Sequence, residues 1–117
     1  GFDSGPNPYD YLSIALGACT SMTLRLYADK KGLDLGRIPV EVGHSKVHAK
    51  DCEACAGGRE GSVDLFERTI QIEGRLEDST LAEKVVEIAG KCPVHRTLEK
   101  SSAVLTKLAG DSEEGRA

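Results

Sequence analysis

The first third of the chain carries apolar residues at a helical period. They recur at spacings of 4, 3, 3 and 4, which places one row of side chains on one face of a helix: Leu12, Leu16, Cys19, Met22 and Leu26. Asn7 suits an N-cap ahead of Pro8, and Gly32 is typical of a helix end. Further apolar residues widen the surface beyond this row. We therefore predict one long helix from Pro8 to about Lys31, buried on most of its sides.

The middle of the chain alternates apolar and polar residues, as strands do. Residues 37–49 predict one strand, with a bulge at Gly43 because Val47 falls on the opposite parity. Residues 63–76 predict the return strand, and residues 50–62 form a turn-rich connection. Four apolar side chains share one face of the return strand: Phe66, Ile70, Ile72 and Leu76.

The last third predicts two helices and a strand. Residues 78–92 have the pattern of an amphipathic helix, and Thr80 and Glu83 fit a capping box at its start. A short helix follows, and residues 102–108 predict a last short strand. The predicted order is helix, two strands, helix, short helix, strand.

The length of 117 residues suits a single domain, which we assign to residues 1–109, followed by a polar tail over residues 110–117. Apolar residues make up 39% and aromatic residues 4%, so the core is expected to be aliphatic. Three strands cannot cover both faces of so apolar a first helix. We therefore expect either N-terminal strands that precede Gly1 or a partner subunit to complete the fold.

The charge balance narrows the set of partners. Lys and Arg number 15 and Asp and Glu number 19, which gives a net charge of −4. Proteins that bind nucleic acid or anionic membranes need clustered basic residues, so we expect neither of these partners. Residues 12–28 are too polar to span a membrane, and the start of the chain lacks the basic region of a signal peptide. With four cysteines and no export signal, we expect a reducing, cytoplasmic setting, where cysteine pairs are more often catalytic or metal-binding than structural.

Two of the cysteines occupy contrasting positions. Cys19 lies mid-helix beside the small residues Gly17 and Ala18, which let another backbone approach, although a cysteine on an apolar face also suits a plain core residue. Cys92 lies at a helix start before Pro93, where free backbone N–H groups stabilise a thiolate. Two such thiols fit a peroxidase pair, in which one becomes a sulfenic acid and the other resolves it to a disulfide.

Two segments, "GPNPYDYLSIALGACTSMTLRLYA" and "CPVHRTL", together resemble the OsmC/Ohr family, the osmotically inducible protein C and organic hydroperoxide resistance proteins. The resemblance covers about residues 4–108, and "ACTSMTLRLYADKKG" is most similar to the OsmC-like branch that is sometimes fused behind an α/β-hydrolase domain. It implies an α+β fold in which two main helices pack on curved antiparallel sheets, and an intertwined homodimer.

The resemblance also implies an activity. Members of the family are thiol-dependent peroxidases that reduce organic hydroperoxides, in which the residue matching Cys19 attacks and the residue matching Cys92 resolves. A dithiol reductant, a lipoylated protein in the Ohr branch, closes the cycle, and no cofactor is required. The alternative is a non-catalytic OsmC-fold dimer that binds a small apolar ligand, or a metal at the loop that contains Cys52 and Cys55.

Three residues are candidates for a supporting role. Active members of the family carry a Glu ten residues before the first cysteine, where this chain has Tyr9, with Asp10 next to it but ~100° around the helix. The Arg of the family would precede Gly1. Arg68 shares its strand parity with Phe66, and two roles stay open for it: a residue that snorkels at the sheet edge, or one that reaches the active site and stabilises a thiolate.

The second cysteine pair lies near two histidines, in the spacing His44-x3-His48-x3-Cys52-x2-Cys55. This spacing invites a zinc site. On a regular strand the two histidines lie ~13 Å apart, so all four residues cannot bind one ion, and a zinc site would use His48, Cys52 and Cys55. A redox or disulfide pair and an unligated loop are the other two interpretations.

Overall fold

A computed structural model of the chain describes residues 5–51, 61–100 and 102–110. Its elements are, in chain order, α1 (Pro8–Lys31), β1 (Val40–His48), a 3-10 turn (Ala49–Asp51), β2 (Ser62–Ile70), α2 (Ser79–Ala89) and α3 (Pro93–Glu99). The two strands form one antiparallel sheet, and α1 packs against β1, α2 and α3. This is an α+β arrangement consistent with the fold that the resemblance implies. Among the described helices, none is both long and apolar enough to cross a membrane.

Both ends of α1 agree with the sequence prediction. The Asn7 side chain accepts a hydrogen bond from the Asp10 backbone N–H at 2.8 Å, and the Asp10 carboxylate accepts one from the Asn7 backbone N–H at 2.9 Å. This reciprocal capping box satisfies two donors that the first helical turn leaves free. At the other end Gly32 adopts the left-handed conformation, with φ of 65°, which ends the helix.

The face of α1 that packs against the rest of the chain differs from the predicted row. Its buried residues are Leu16, Gly17, Thr20, Leu24 and Ala28. Met22 and Leu26 of the predicted row are 67% and 71% exposed. Because α1 is apolar around much of its circumference, periodicity could not select the packed face. The sheet selects it instead, since β1 approaches at Gly17, where an added Cβ would lie 3.5 Å from a methyl group of Val42.

The strand pairing is regular from Val40 opposite Ile70 to His48 opposite Ser62. The predicted bulge at Gly43 is wrong, because Gly43 pairs directly with Glu67 and Val47 simply faces the other side of the sheet. Residues beyond β2 continue to bond the segment that follows α1. The backbone N–H groups of residues 71, 73, 74 and 75 donate to carbonyls of residues 39, 37, 35 and 34.

The core is aliphatic, as the composition predicts, and lies between α1, α2 and the segment that follows α1. Its buried members are Leu24, Ala28, Leu35, Ile38 and Val85. The start of α2 differs from the prediction: Asp78, and not Thr80, is the N-cap, and its side chain accepts a hydrogen bond from the Leu81 N–H at 2.8 Å. An aspartate is an equally favourable cap and lies two residues earlier.

Residues 102–108 form no strand, contrary to the prediction. The two described strands pair only with each other, so this segment has no strand beside it in the described part of the chain. Val104 and Leu105 are 88% and 83% exposed. An alternating pattern forms a strand only where a neighbouring strand satisfies its backbone groups.

Candidate active site

Three parts of the fold bring a cluster of polar and sulfur-bearing side chains together. α1 supplies two neighbouring residues, β2 supplies one from the face that packs on α1, and the first turn of α3 supplies two. The members of this cysteine cluster are Cys19, Thr20, Arg68, Cys92 and His95. The structure therefore brings together the two cysteines that the sequence separates by most of the domain.

Cys92 is the N-cap of α3 and is completely buried. Its sulfur accepts a hydrogen bond from the backbone N–H of His95 at 3.2 Å. Pro93 occupies the first position of the helix, where its fixed φ suits the turn and its missing N–H costs nothing. The sulfur thus takes the place of the side-chain oxygen that caps most helices.

The surroundings of Cys92 favour the thiolate. Burial raises the pKa of its thiol, but four interactions act in the opposite direction: hydrogen bonds from the His95 backbone N–H and from the side chains of Cys19 and Thr20, and the positive charge of Arg68. Together they hold the pKa of Cys92 below its ordinary value of 9.0. The thiolate is stabilised because donors and a cation converge on one sulfur.

Arg68 connects three helices through its guanidinium. Its Nη1 donates to the Thr20 hydroxyl at 3.0 Å and to the Ala89 carbonyl at 3.3 Å, and its Nη2 lies 2.9 Å from Nδ1 of His95. A guanidinium can only donate, so Nδ1 of His95 accepts and the neutral ring carries its hydrogen on Nε2. Burial and the charge of Arg68 lower the pKa of His95, and Glu99 acts in the opposite direction.

Thr20 links Arg68 to Cys92. Its buried hydroxyl lies 2.7 Å from the Leu16 carbonyl and 3.9 Å from the sulfur of Cys92. The single hydroxyl hydrogen therefore serves either the carbonyl or the sulfur. Sequence reasoning missed Thr20 and His95 as site residues. A threonine on the packed face of an apolar helix and a histidine three residues after Cys92 are the signals that could have indicated them.

Cys19 is half-buried, and both it and Cys92 are free thiols. Its side chain is among the neighbouring groups that lower the pKa of the Cys92 thiol. Two neighbouring free thiols are what a dithiol–disulfide cycle requires.

A groove of about 790 Å³ adjoins the cysteine cluster. Its wall contains apolar side chains from α1, β2, α2 and α3, among them Leu12, Phe66, Val86 and Leu98. Arg68 and His95 belong both to this wall and to the cysteine cluster. The groove therefore offers an apolar surface that leads to a cationic group.

Comparison with known proteins identifies the family of the chain. A family model described as OsmC-like protein matches residues 1–107. The chain belongs to the OsmC-like protein family. The match includes both Cys19 and Cys92, and membership suggests a peroxidase-like function. No curated protein and no solved structure matches the chain.

Tyr9 and Asp10 lie at the start of α1 in this OsmC-like protein, about 14 Å along the helix axis from Cys19. Asp10 is exposed and serves the capping box with Asn7. The Tyr9 ring stacks on His44, with ring centroids 4.4 Å apart and an angle of 4° between the planes. Both residues thus have contacts at the helix start, and Tyr9 also lines the groove that adjoins the cysteine cluster.

The candidate zinc ligands of this OsmC-like protein are only partly described. Cys52 and Cys55 lie outside the described residues. His48 is exposed, and its Nδ1 accepts a hydrogen bond from the Lys50 backbone N–H at 3.1 Å. Nε2 of His44 lies 2.8 Å from Oδ1 of Asp64. Over residues 5–51, 61–100 and 102–110, no three side chains of the metal-binding types converge.

Proposed function

We propose that this protein is a thiol-dependent peroxidase that reduces organic hydroperoxides through Cys19 and Cys92. The observation that supports the proposal best is the presence of two free thiols in one cluster, where the charge of Arg68 and neighbouring hydrogen-bond donors lower the pKa of Cys92. Membership of the OsmC-like family supports the same chemistry. The apolar groove beside Arg68 suits the organic part of a hydroperoxide.

The proposed cycle has two covalent steps. The Cys19 thiolate attacks the terminal oxygen of the hydroperoxide, the O–O bond breaks, and the organic alkoxide leaves as an alcohol after it takes a proton. Cys19 is then a sulfenic acid. The Cys92 thiolate attacks the sulfur of Cys19, the S–O bond breaks, and hydroxide leaves as water after protonation. The resulting disulfide is reduced by a dithiol, which becomes a disulfide in turn.

Arg68 is proposed to stabilise the negative charge of this cycle. Its guanidinium donates to the Thr20 hydroxyl at 3.0 Å and lies 2.9 Å from Nδ1 of His95, and its charge lowers the pKa of the Cys92 thiol. A cation that is held by three acceptors needs little reorganisation when charge develops nearby. We further propose a cytoplasmic homodimer in which a lipoylated protein is a suitable dithiol reductant.

A peroxide-consumption assay with an organic hydroperoxide and a dithiol reductant tests the proposal. Cys19→Ser is expected to abolish turnover, and Cys92→Ser to permit one round that ends with Cys19 as a sulfenic or sulfinic acid. Mass spectrometry of the oxidised wild type should show a Cys19–Cys92 disulfide, which Cys52→Ser, the matched control, should leave unchanged. Oxidation that links only Cys52 and Cys55 would reject the peroxidase and favour the non-catalytic binding protein.

A further inference from the structure

We propose that the stacked rings of Tyr9 and His44 determine which hydroperoxides this protein accepts, and that they favour those whose organic part ends in an aromatic ring. This inference rests on the proposed peroxidase and names the substrate class of its groove. Aromatic residues make up only 4% of the chain. Two of them, Tyr9 and Phe66, nevertheless line the groove that adjoins the cysteine cluster.

Three rings meet where the start of α1 lies on the sheet. The Tyr9 ring stacks on His44, with centroids 4.4 Å apart and an angle of 4° between the planes, and the His44 ring lies 4.9 Å from Phe66 at an angle of 41°. His44 and Phe66 are directly opposite each other on β1 and β2. The rings are thus held by a helix and two strands, and those of Tyr9 and Phe66 belong to the groove wall.

His44 is a positioning residue for the Tyr9 ring. Its Nε2 lies 2.8 Å from Oδ1 of Asp64, and Nζ of Lys46 lies 3.3 Å from the same oxygen. A carboxylate accepts from both, so Nε2 of His44 carries a hydrogen. The imidazole is therefore fixed at its edge, while its face carries Tyr9. Tyr9 itself remains 41% exposed and can contact a further ring.

The ring pair lies at one end of the groove and the thiols lie at the other. At the thiol end, Arg68 of β2 bonds to Thr20 of α1 at 3.0 Å. Tyr9 lies about 17 Å from Thr20 along the helix axis, and Asp64 lies about 13 Å from Arg68 along the strand. A hydroperoxide whose oxygens lie beside Arg68 therefore extends its organic part past Phe66 toward Tyr9.

The charges of the groove favour a neutral organic group. The carboxylates of Asp64 and Glu99 line its wall, so an anionic tail would meet groups of the same charge. Lys46 is engaged by Asp64 and does not line the groove. A neutral aromatic ring instead gains offset or edge-to-face contacts with Phe66 and Tyr9, which add to the effect of its burial.

The test compares two hydroperoxides that have the same carbon skeleton, phenylbutyl hydroperoxide and cyclohexylbutyl hydroperoxide. Both are assayed with the full chain and a dithiol reductant. For the wild type we expect a kcat/KM that is about 2- to 10-fold higher for the phenyl compound, the size of an aromatic pair contribution. The difference should lie in KM, because the distal ring makes the same contacts before and during the reaction.

Variants assign this preference to the ring pair. Tyr9→Leu should remove it and Tyr9→Phe should keep it. His44→Leu should weaken it without changing a wall residue, and His44→Phe should restore it because a ring is again present under Tyr9. The matched control is Tyr11→Leu, at a 61% exposed residue of α1 outside the groove wall, which should leave the preference intact. Thermal unfolding checks that each variant folds. A preference that survives Tyr9→Leu overturns the inference.

The alcohols that correspond to the two hydroperoxides separate this inference from the proposed function. They are not oxidants, so their binding, measured by titration calorimetry, does not depend on turnover. Phenylbutanol should bind the wild type about 2- to 10-fold more tightly than cyclohexylbutanol, and Tyr9→Leu should remove the difference. If this difference is found but no hydroperoxide is consumed, the proposed function fails and the specificity of the groove stands. Equal affinities of the two alcohols overturn the inference.

Discussion

Arg68 on β2 and His95 on α3 are joined by a hydrogen bond of 2.9 Å from Nη2 to Nδ1. This hydrogen bond joins β2 to α3, the helix whose N-cap is Cys92. Of the two roles that the sequence left open for Arg68, the structure places its guanidinium among buried acceptors and not at an exposed sheet edge. The cation of the cysteine cluster is therefore supplied by β2.

Replacement of Arg68 by Met should destabilise both the fold and the thiolate. The loss of its hydrogen bonds leaves the buried Thr20 and the Ala89 carbonyl without this donor and should lower the free energy of unfolding by about 1.5–3 kcal/mol. The pKa of Cys92 should rise because the nearby positive charge is gone. Urea unfolding and thiolate titration measure the two effects.

The matched control is Arg37→Met. The Arg37 side chain is 85% exposed and lies 3.9 Å from Glu73, so its loss should cost no more than about 1 kcal/mol and leave the pKa of Cys92 unchanged. Equal changes in the free energy of unfolding and in the pKa of Cys92 for the two substitutions would contradict the role assigned to Arg68.

The stability of the protein should rise with pH in two windows. The pKa of His95 is lowered from 6.5 and that of Cys92 from 9.0, so at each site the folded chain binds fewer protons than the unfolded chain. The free energy of unfolding therefore increases as pH rises toward 6.5, and again as it rises toward 9.0. Urea unfolding at a series of pH values measures this dependence.

Two substitutions separate the windows. His95→Asn keeps an acceptor near the position of Nδ1 but does not titrate, so it should flatten the window below 6.5. Cys92→Ser should flatten the window below 9.0. His48→Asn, at an exposed residue, serves as the control and should leave both windows intact. A stability that falls as pH rises through these ranges would contradict the assignment.

The exposed face of α1 should form the contact of a homodimer. Tyr11, Ile14, Met22 and Leu26 are 58–71% exposed, and at ~100° per residue they share the side of the helix opposite Thr20. Light scattering should show a dimer that Leu26→Glu converts to a monomer. Lys30→Glu, near the exposed end of the helix, should not. A compact, stable wild-type monomer would reject the dimer.

Gly74→Ala should destabilise the fold, because a Cβ at this position would collide with the backbone of Asp34, Leu35 and Gly36. Since these are main-chain atoms, they cannot move aside as a flexible side chain can. We expect a loss of about 1–3 kcal/mol or more in thermal or urea unfolding. Gly43→Ala is the control: an added Cβ there has open space, and a strand residue other than Gly stabilises by roughly 0.5–1 kcal/mol. Similar losses at both sites would contradict the close crossing at Gly74.

Local sequence determined the elements and their order. The cap at Asn7, the stop at Gly32 and the start of α3 after Cys92 each depend on backbone groups within a few residues, so a short stretch of sequence specifies them. The two cysteine motifs likewise indicated a paired site, because their resemblance to a known family contains information about residues far apart in the chain. The prediction of a last strand was wrong for the opposite reason. A strand needs a neighbouring strand, and residues 102–108 have none in the described structure.

Tertiary structure alone decided which side of α1 is packed and which residues surround the thiols. An apolar helix offers several equivalent faces, and only the approach of β1 at Gly17 selects one. That choice buries Thr20, turns Arg68 toward it and leaves Cys19 between the packed and exposed sides. The partners of Cys92 come from three elements separated by tens of residues, so their convergence depends on how those elements pack, which no local pattern specifies.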